Sequence, residues 1–73
     1  MEAHKMKIRE YAKSVGFEIV GRLTRRPEWE YTRDGFTGEM KHSGCKHYSD
    51  EGGNEYITGG GGVCIVTADG GVI

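Results

Sequence analysis

Most features that would announce a specialised class of protein are scarce in this chain. It has one proline and two cysteines among 73 residues, and its formal charge is only −1. No apolar run approaches the length needed to cross a bilayer, and no apolar segment near the N-terminus resembles a secretory leader. Two cysteines fall short of the two to four bridges usual in small secreted scaffolds. The expectation is therefore a cytoplasmic chain without a membrane partner, in which Cys45 and Cys64 serve as small reduced hydrophobes. Large aliphatic and Phe side chains are also few, since Leu, Ile, Val and Phe total 13. That share alone would suggest disorder, but disorder also needs a high net charge, which is missing.

Small size sets a further limit. Area scaling allows about 4,300 Å² of apolar burial, worth about 107 kcal/mol, against about 110 kcal/mol to order the chain. A thin core of this kind leaves little volume for a deep pocket of ~300–1,000 Å³, which argues against a self-contained enzyme. Glycine is the one residue in excess, at 13. It follows no Gly-X-Y period, so it points to a domain of many tight turns rather than to collagen.

Two hydrophobic periods divide the sequence. Ile8, Tyr11, Ala12 and Val15 stand at i, i+3, i+4 and i+7, which predicts a helix over residues 3–15 ended by Gly16. Residues 1–5 read as an upstream extension. From Phe17 the period becomes 2, with Phe17, Ile19 and Leu23 predicted on the buried face of a strand over 17–24. Pro27 suits a turn, Trp29 and Tyr31 alternate in a second strand over 28–33, and Asp34-Gly35 signals a type I′ hairpin. Residues 36–44 carry no clear period. Strands are expected at 45–49 and 55–58 around a turn at 50–54. A third, over 63–67, is so continuously apolar that it belongs at the centre of the sheet, under the helix. The predicted fold is a single α+β domain over 1–73: an N-terminal helix packed on a small twisted antiparallel meander of four or five strands. Its core would comprise Ile8, Tyr11, Ala12, Val15, Phe17, Ile19, Leu23, Val63, Ile65 and Val66.

Most of the chemistry-bearing groups also have plainer roles. His42, Cys45, His47 and the distant Cys64 include the donor types of a zinc site, but their spacing matches no standard knuckle, and no metal or other cofactor is expected. Gly59 to Gly62 lacks the Lys and the following helix of a phosphate loop, so it reads as a hairpin loop or a point of close backbone approach. Ser43, His42, Cys45, His47, Asp50 and Glu51 offer a nucleophile, a base and an orienting group in type only, with no cleft to hold them. The expectation is no enzyme and no catalytic residue.

Two kinds of surface remain. Trp29, Tyr31, Tyr48 and Tyr56, with Arg25 and Arg26, are of the types that anchor protein interfaces, and Met40 adds to an apolar surplus too large for the core. They point to a small non-catalytic protein-binding or regulatory module able to self-associate, its partner an unidentified protein or a second copy. Alternatively Lys5, Arg9, Lys13, Arg22, Arg25, Arg26 and Arg33 form a basic surface for nucleic acid, with Trp29 and Tyr31 available for stacking. The near-neutral isoelectric point of 6.3 favours the first reading.

Overall fold

The computed structural model describes residues 7–73, so the predicted start of the helix, the extension at 1–5 and Lys5 lie outside the described residues. The α+β architecture is present. One helix, α1 (Ile8–Ser14), is followed by β1 (Thr24–Arg25), a 3₁₀ turn (Pro27–Glu30), β2 (Tyr31–Arg33), β3 (Met40–His42), β4 (Lys46–Ser49), β5 (Glu55–Gly59) and β6 (Gly62–Val66). The strands form two antiparallel sheets, a four-stranded one in the order β1-β4-β5-β6 and a separate β2-β3 pair.

Local chemistry accounts for the helix. Glu10 accepts a hydrogen bond from the Lys7 N–H at its start. At its end Phe17 N–H reaches the Ala12 carbonyl and Gly16 N–H that of Lys13, the paired bonds of a Schellman stop. Ile8 and Ala12 are buried and pack with Tyr56 and Ile65, and Tyr11, Phe17, Ile19, Leu23, Tyr48 and Val63 close the rim. Register explains the choice of residues. Arg25, Tyr48, Tyr56 and Ile65 face one another across the four strands, and α1 lies over the Tyr56–Ile65 part of that row. Val15, one position past the helix, is exposed and leaves the predicted core.

Residues 17–23 correct the expected first strand. Phe17, Ile19 and Leu23 do turn inward, but their backbone joins no ladder. Instead the Val20 N–H donates to Asp50 Oδ2 and the Arg22 N–H to Glu51 Oε2, while Glu51 N–H reaches the Val20 carbonyl. A turn at 50–51 thus satisfies the groups that a neighbouring strand would have used. Gly21, with φ +70°, makes the required bend, and a Cβ there would stand 2.5 Å from Glu51 Cδ. Gly21→Ala is accordingly expected to cost about 2–3 kcal/mol, from left-handed strain and displacement of a bonded carboxylate. Urea denaturation checks this, and a change below ~0.5 kcal/mol would show that the turn at 50–51 does not shape the segment.

Two other elements depart from expectation. β6 is an edge strand rather than a central one, and its apolar run is partly covered at the edge because Val72 bridges Val66 and Ile73 N–H bonds Ile65 O. Asp34-Gly35 does open a hairpin, but the turn is longer than type I′. Asp34 has no positive φ, and its carboxylate instead accepts the N–H groups of Phe36 and Thr37, while Gly38 takes the left-handed position. The two-residue turn lies elsewhere, at Gly60-Gly61, where φ values of +57° and +85° join Gly59 to its partner Gly62.

The overall shape is flat, 40 × 36 × 19 Å, with a radius of gyration of 13.4 Å where a compact chain of this length has about 11 Å. The β2-β3 pair lies outside the larger sheet. All six of its residues are exposed, and it stands apart from the larger sheet as an arm.

Candidate functional site

The arm owes its position to one carboxylate. Pro27 starts the 3₁₀ turn, which replaces the first half of the predicted strand at 28–33 and carries Glu30 inward. Although Glu30 lies in a charged stretch, it is 1% exposed. Arg25 clamps it with two bonds, Nε to Oε2 at 2.6 Å and Nη2 to Oε1 at 3.0 Å. The His47 N–H donates to Oε2 and the His42 ring Nε2 meets Oε1 at 2.9 Å. One side chain thereby links β1, the 3₁₀ turn, β3 and β4. The Arg25 guanidinium, outweighing the cost of burial and aided by His47 N–H and His42, holds the Glu30 carboxyl down at about 2. An ionised Glu30 requires His42 Nε2 to carry a proton, while Nδ1 accepts the Gly44 N–H at 2.9 Å. Both ring nitrogens are therefore engaged by the neutral Nε2–H form.

Beyond this base the arm is decorated with apolar side chains. Phe36 at its tip is fully exposed, while Trp29, Tyr31 and Met40 are each 42–55% exposed. Tyr31 pairs with His42 across the strands, edge to face at 5.1 Å, and Arg33 pairs with Met40 on the same face. The Arg26 guanidinium lies 5.4 Å from the centre of the Trp29 ring and bonds Ser49 Oγ through Nε.

A second feature lies on the helix side of the larger sheet. Among the described residues a half-open groove of about 650 Å³ runs over Ile8, Leu23 and Tyr48, bounded by the Gly60-Gly61 turn. Lys7, Arg9, Glu10 and Lys46 form its ionisable rim, which sums to +2. A core this thin holds no such space inside; a short helix over a sheet leaves it at the surface instead.

The predicted residues are thus dispersed. Trp29 and Tyr31 are available at the surface, Arg25 and Arg26 are occupied at the base of the arm, and Tyr48 is half-buried. Tyr56 is a correction: it is fully buried, its hydroxyl donates to Asp50 Oδ2 at 2.6 Å, and it presents no surface to a partner. Of the basic set, Arg33 bonds the Gly38 carbonyl, so Arg25, Arg26 and Arg33 each have partners within the chain, while Arg9 and Lys13 lie on α1 and Arg22 in the loop after it. The metal-donor types are not assembled either. His47 Nδ1 meets Glu55 Oε2 at 2.7 Å, Cys45 lies against Gly59, Cys64 pairs across from Ile57, and no group of three metal donors exists among the described residues. Phe36 and Glu30 were missed. The first fell in a stretch without period, and the second alternated like a solvent-facing acid.

No family model, no curated protein and no solved structure matches the chain. Among the described residues no helix is long and apolar enough to cross a membrane.

Proposed function

We propose that the protein is a small, non-catalytic protein-binding module whose contact surface is the β2-β3 arm. The observation that carries this reading is the exposure of Phe36, Tyr31 and Met40 on a two-stranded arm tied down at its base by buried Glu30. An isolated pair of strands is marginal in water, so apolar side chains on it contribute little to the fold unless something covers them. Clustered aromatic side chains on a preset backbone are what interface anchors require. The intramolecular partners of Arg25, Arg26 and Arg33 support this reading over nucleic-acid binding. Free thiols at Cys45 and Cys64 suit a reducing compartment.

The double variant Phe36→Ser/Met40→Ser tests it. Because both side chains are exposed, thermal stability should change by less than ~0.5 kcal/mol, whereas association should be lost. Sedimentation of the full chain, and affinity capture with original and variant chains side by side, read the outcome. Partners held by the original and released by the variant support the arm as the contact surface. A strict monomer that retains nothing, or association unaffected by the variant, overturns it.

A further inference from the structure

We infer that the joint between the arm and the larger sheet is a proton-operated latch: when His42 takes up a second proton, at mildly acidic pH, its ring releases the Gly44 N–H and the turn at 43–45 loosens. Nothing in the latch depends on what the arm contacts. It begins with the double engagement of the ring. His42 Nε2 lies 2.9 Å from Glu30 Oε1, and Nδ1 accepts the Gly44 N–H at 2.9 Å. The second bond spans two residues, as an Asx turn does, and steers the chain out of β3 towards β4. Only the neutral ring with its proton on Nε2 makes both bonds, because the imidazolium is a donor at each nitrogen.

A proton added at Nδ1 therefore sets N–H against N–H, and either the ring or the turn must move. The surroundings decide which. Glu30 is buried and held by Arg25 and the His47 N–H, so its carboxylate keeps its place. Its bond to Nε2 becomes charge-assisted once the imidazole is positive, which holds the ring more firmly. Gly44, by contrast, is exposed, and a Cβ built on it would meet nothing within 4 Å. The turn gives. Because the Ser43 N–H stays on the Glu30 carbonyl, the slack falls on Gly44 and Cys45.

The proton can come directly from solvent, since 44% of the His42 side chain is exposed. Around the ring stand Glu30 from the 3₁₀ turn, Arg25 from β1 bonded to the same carboxylate, and Tyr31 from β2, edge to face. Arg33, also on β2, spends its guanidinium on the Gly38 carbonyl. From β4, His47 offers Glu30 its N–H while its own Nδ1 meets Glu55 Oε2. A second proton on His47 leaves that bond intact, so His47 is no latch. Histidine is the side chain that ordinarily changes charge between pH 5 and 8, which sets the range to be searched.

NMR of the nitrogen-labelled full chain from pH 7.5 to 5 tests the latch. At pH 7.5 His42 should be neutral and protonated at Nε2, with the Gly44 N–H protected from exchange with water. As the ring gains its second proton, Gly44 protection, corrected for the intrinsic pH dependence of exchange, should be lost with the same midpoint. The Ser43 and His47 amides should stay protected. His42→Asn supplies an acceptor that does not titrate, so Gly44 should remain protected throughout, whereas His47→Gln should respond as the parent does. A ring protonated at Nδ1 at pH 7.5, or Gly44 protection indifferent to the charge on His42, would overturn the latch. So would a His42 still neutral at pH 5, or an Asn variant that loses Gly44 protection as the parent does. The tautomer and exchange measurements on the parent chain decide the matter alone if either variant misfolds.

Discussion

Asp50→Ala is expected to lower the stability of the fold by about 3–5 kcal/mol, counting ~1–3 for each buried donor left without an acceptor and allowing water to reach some of them. Asp50 is 7% exposed, and its carboxylate accepts the Tyr56 hydroxyl, the Asn54 N–H and side-chain amide, and the N–H groups of Val20 and Gly52. Those bonds join the turn at 50–54, the loop after α1 and the centre of the larger sheet. A chain of this length has a total stability of about 4–11 kcal/mol, so the variant should be largely unfolded at the lower end of that range. Tyr56→Ala should cost a similar ~3–5 kcal/mol through its cavity. Tyr56→Phe should cost less, about 1.5–3 kcal/mol, by removing one hydrogen bond to a charged acceptor. Urea curves for Asp50→Ala, Tyr56→Phe and the double variant should be non-additive, since both remove the same bond. Strict additivity would show that the 2.6 Å contact contributes nothing to the coupling.

The second large effect concerns Glu30. Glu30→Ala should free the arm while the larger sheet persists, because Arg25, His42 and the His47 N–H would lose their common acceptor. Amide exchange should then show lost protection at Tyr31–Arg33 and Met40–His42 with β5 and β6 still protected. Unchanged protection in the arm would mean that the carboxylate does not anchor it.

Acid titration should reach the same bonds. Glu30 is held at about 2 by Arg25, the His47 N–H and His42 against the cost of burial. Burial works to raise Asp50, yet hydrogen bonds from Tyr56, the Val20 N–H and Asn54 prevail and hold it well below the usual carboxylate range. Both folded values lie below the unfolded value of about 4, so their contribution is complete at neutral pH. It should decline as pH falls below about 4.5 and through the folded values. Tyr56 is shifted the other way: burial and its bond to Asp50 raise the phenol above its ordinary value. Its contribution is complete below about pH 10 and is lost as pH rises further. Urea midpoints across the pH range should be flat around neutrality and fall at both ends. A midpoint that held steady from pH 5 to about 2 would contradict the part given to the two carboxylates.

What could be read from the chain follows from how local each cause is. The end of α1 and the glycine turn between β5 and β6 rest on residues adjacent in sequence, and both were legible. The alternation of Phe17, Ile19 and Leu23 reported burial correctly but not ladder bonding, because the intervening Val20 and Arg22 N–H groups are taken by the Asp50 and Glu51 side chains, some thirty residues away. Trp29 alternated like a strand residue, yet Pro27 set a 3₁₀ turn. The apolar run in β6 suggested a central strand because sequence shows burial, not whether Val72 and Ile73 will cover the outer edge. The candidate site was harder still. Glu30 acquires its role only when Arg25, His42 and His47 arrive from three other segments, and no spacing within the chain encodes that meeting.

The Asp34-centred tip has a practical consequence. Its ends are joined by a 2.7 Å hydrogen bond from the Asp34 N–H to the Glu39 carbonyl, and Phe36 between them is fully exposed. Foreign peptide spliced between Phe36 and Gly38 should therefore be tolerated as cargo, which makes this flat little scaffold a display platform with a ready-made insertion point.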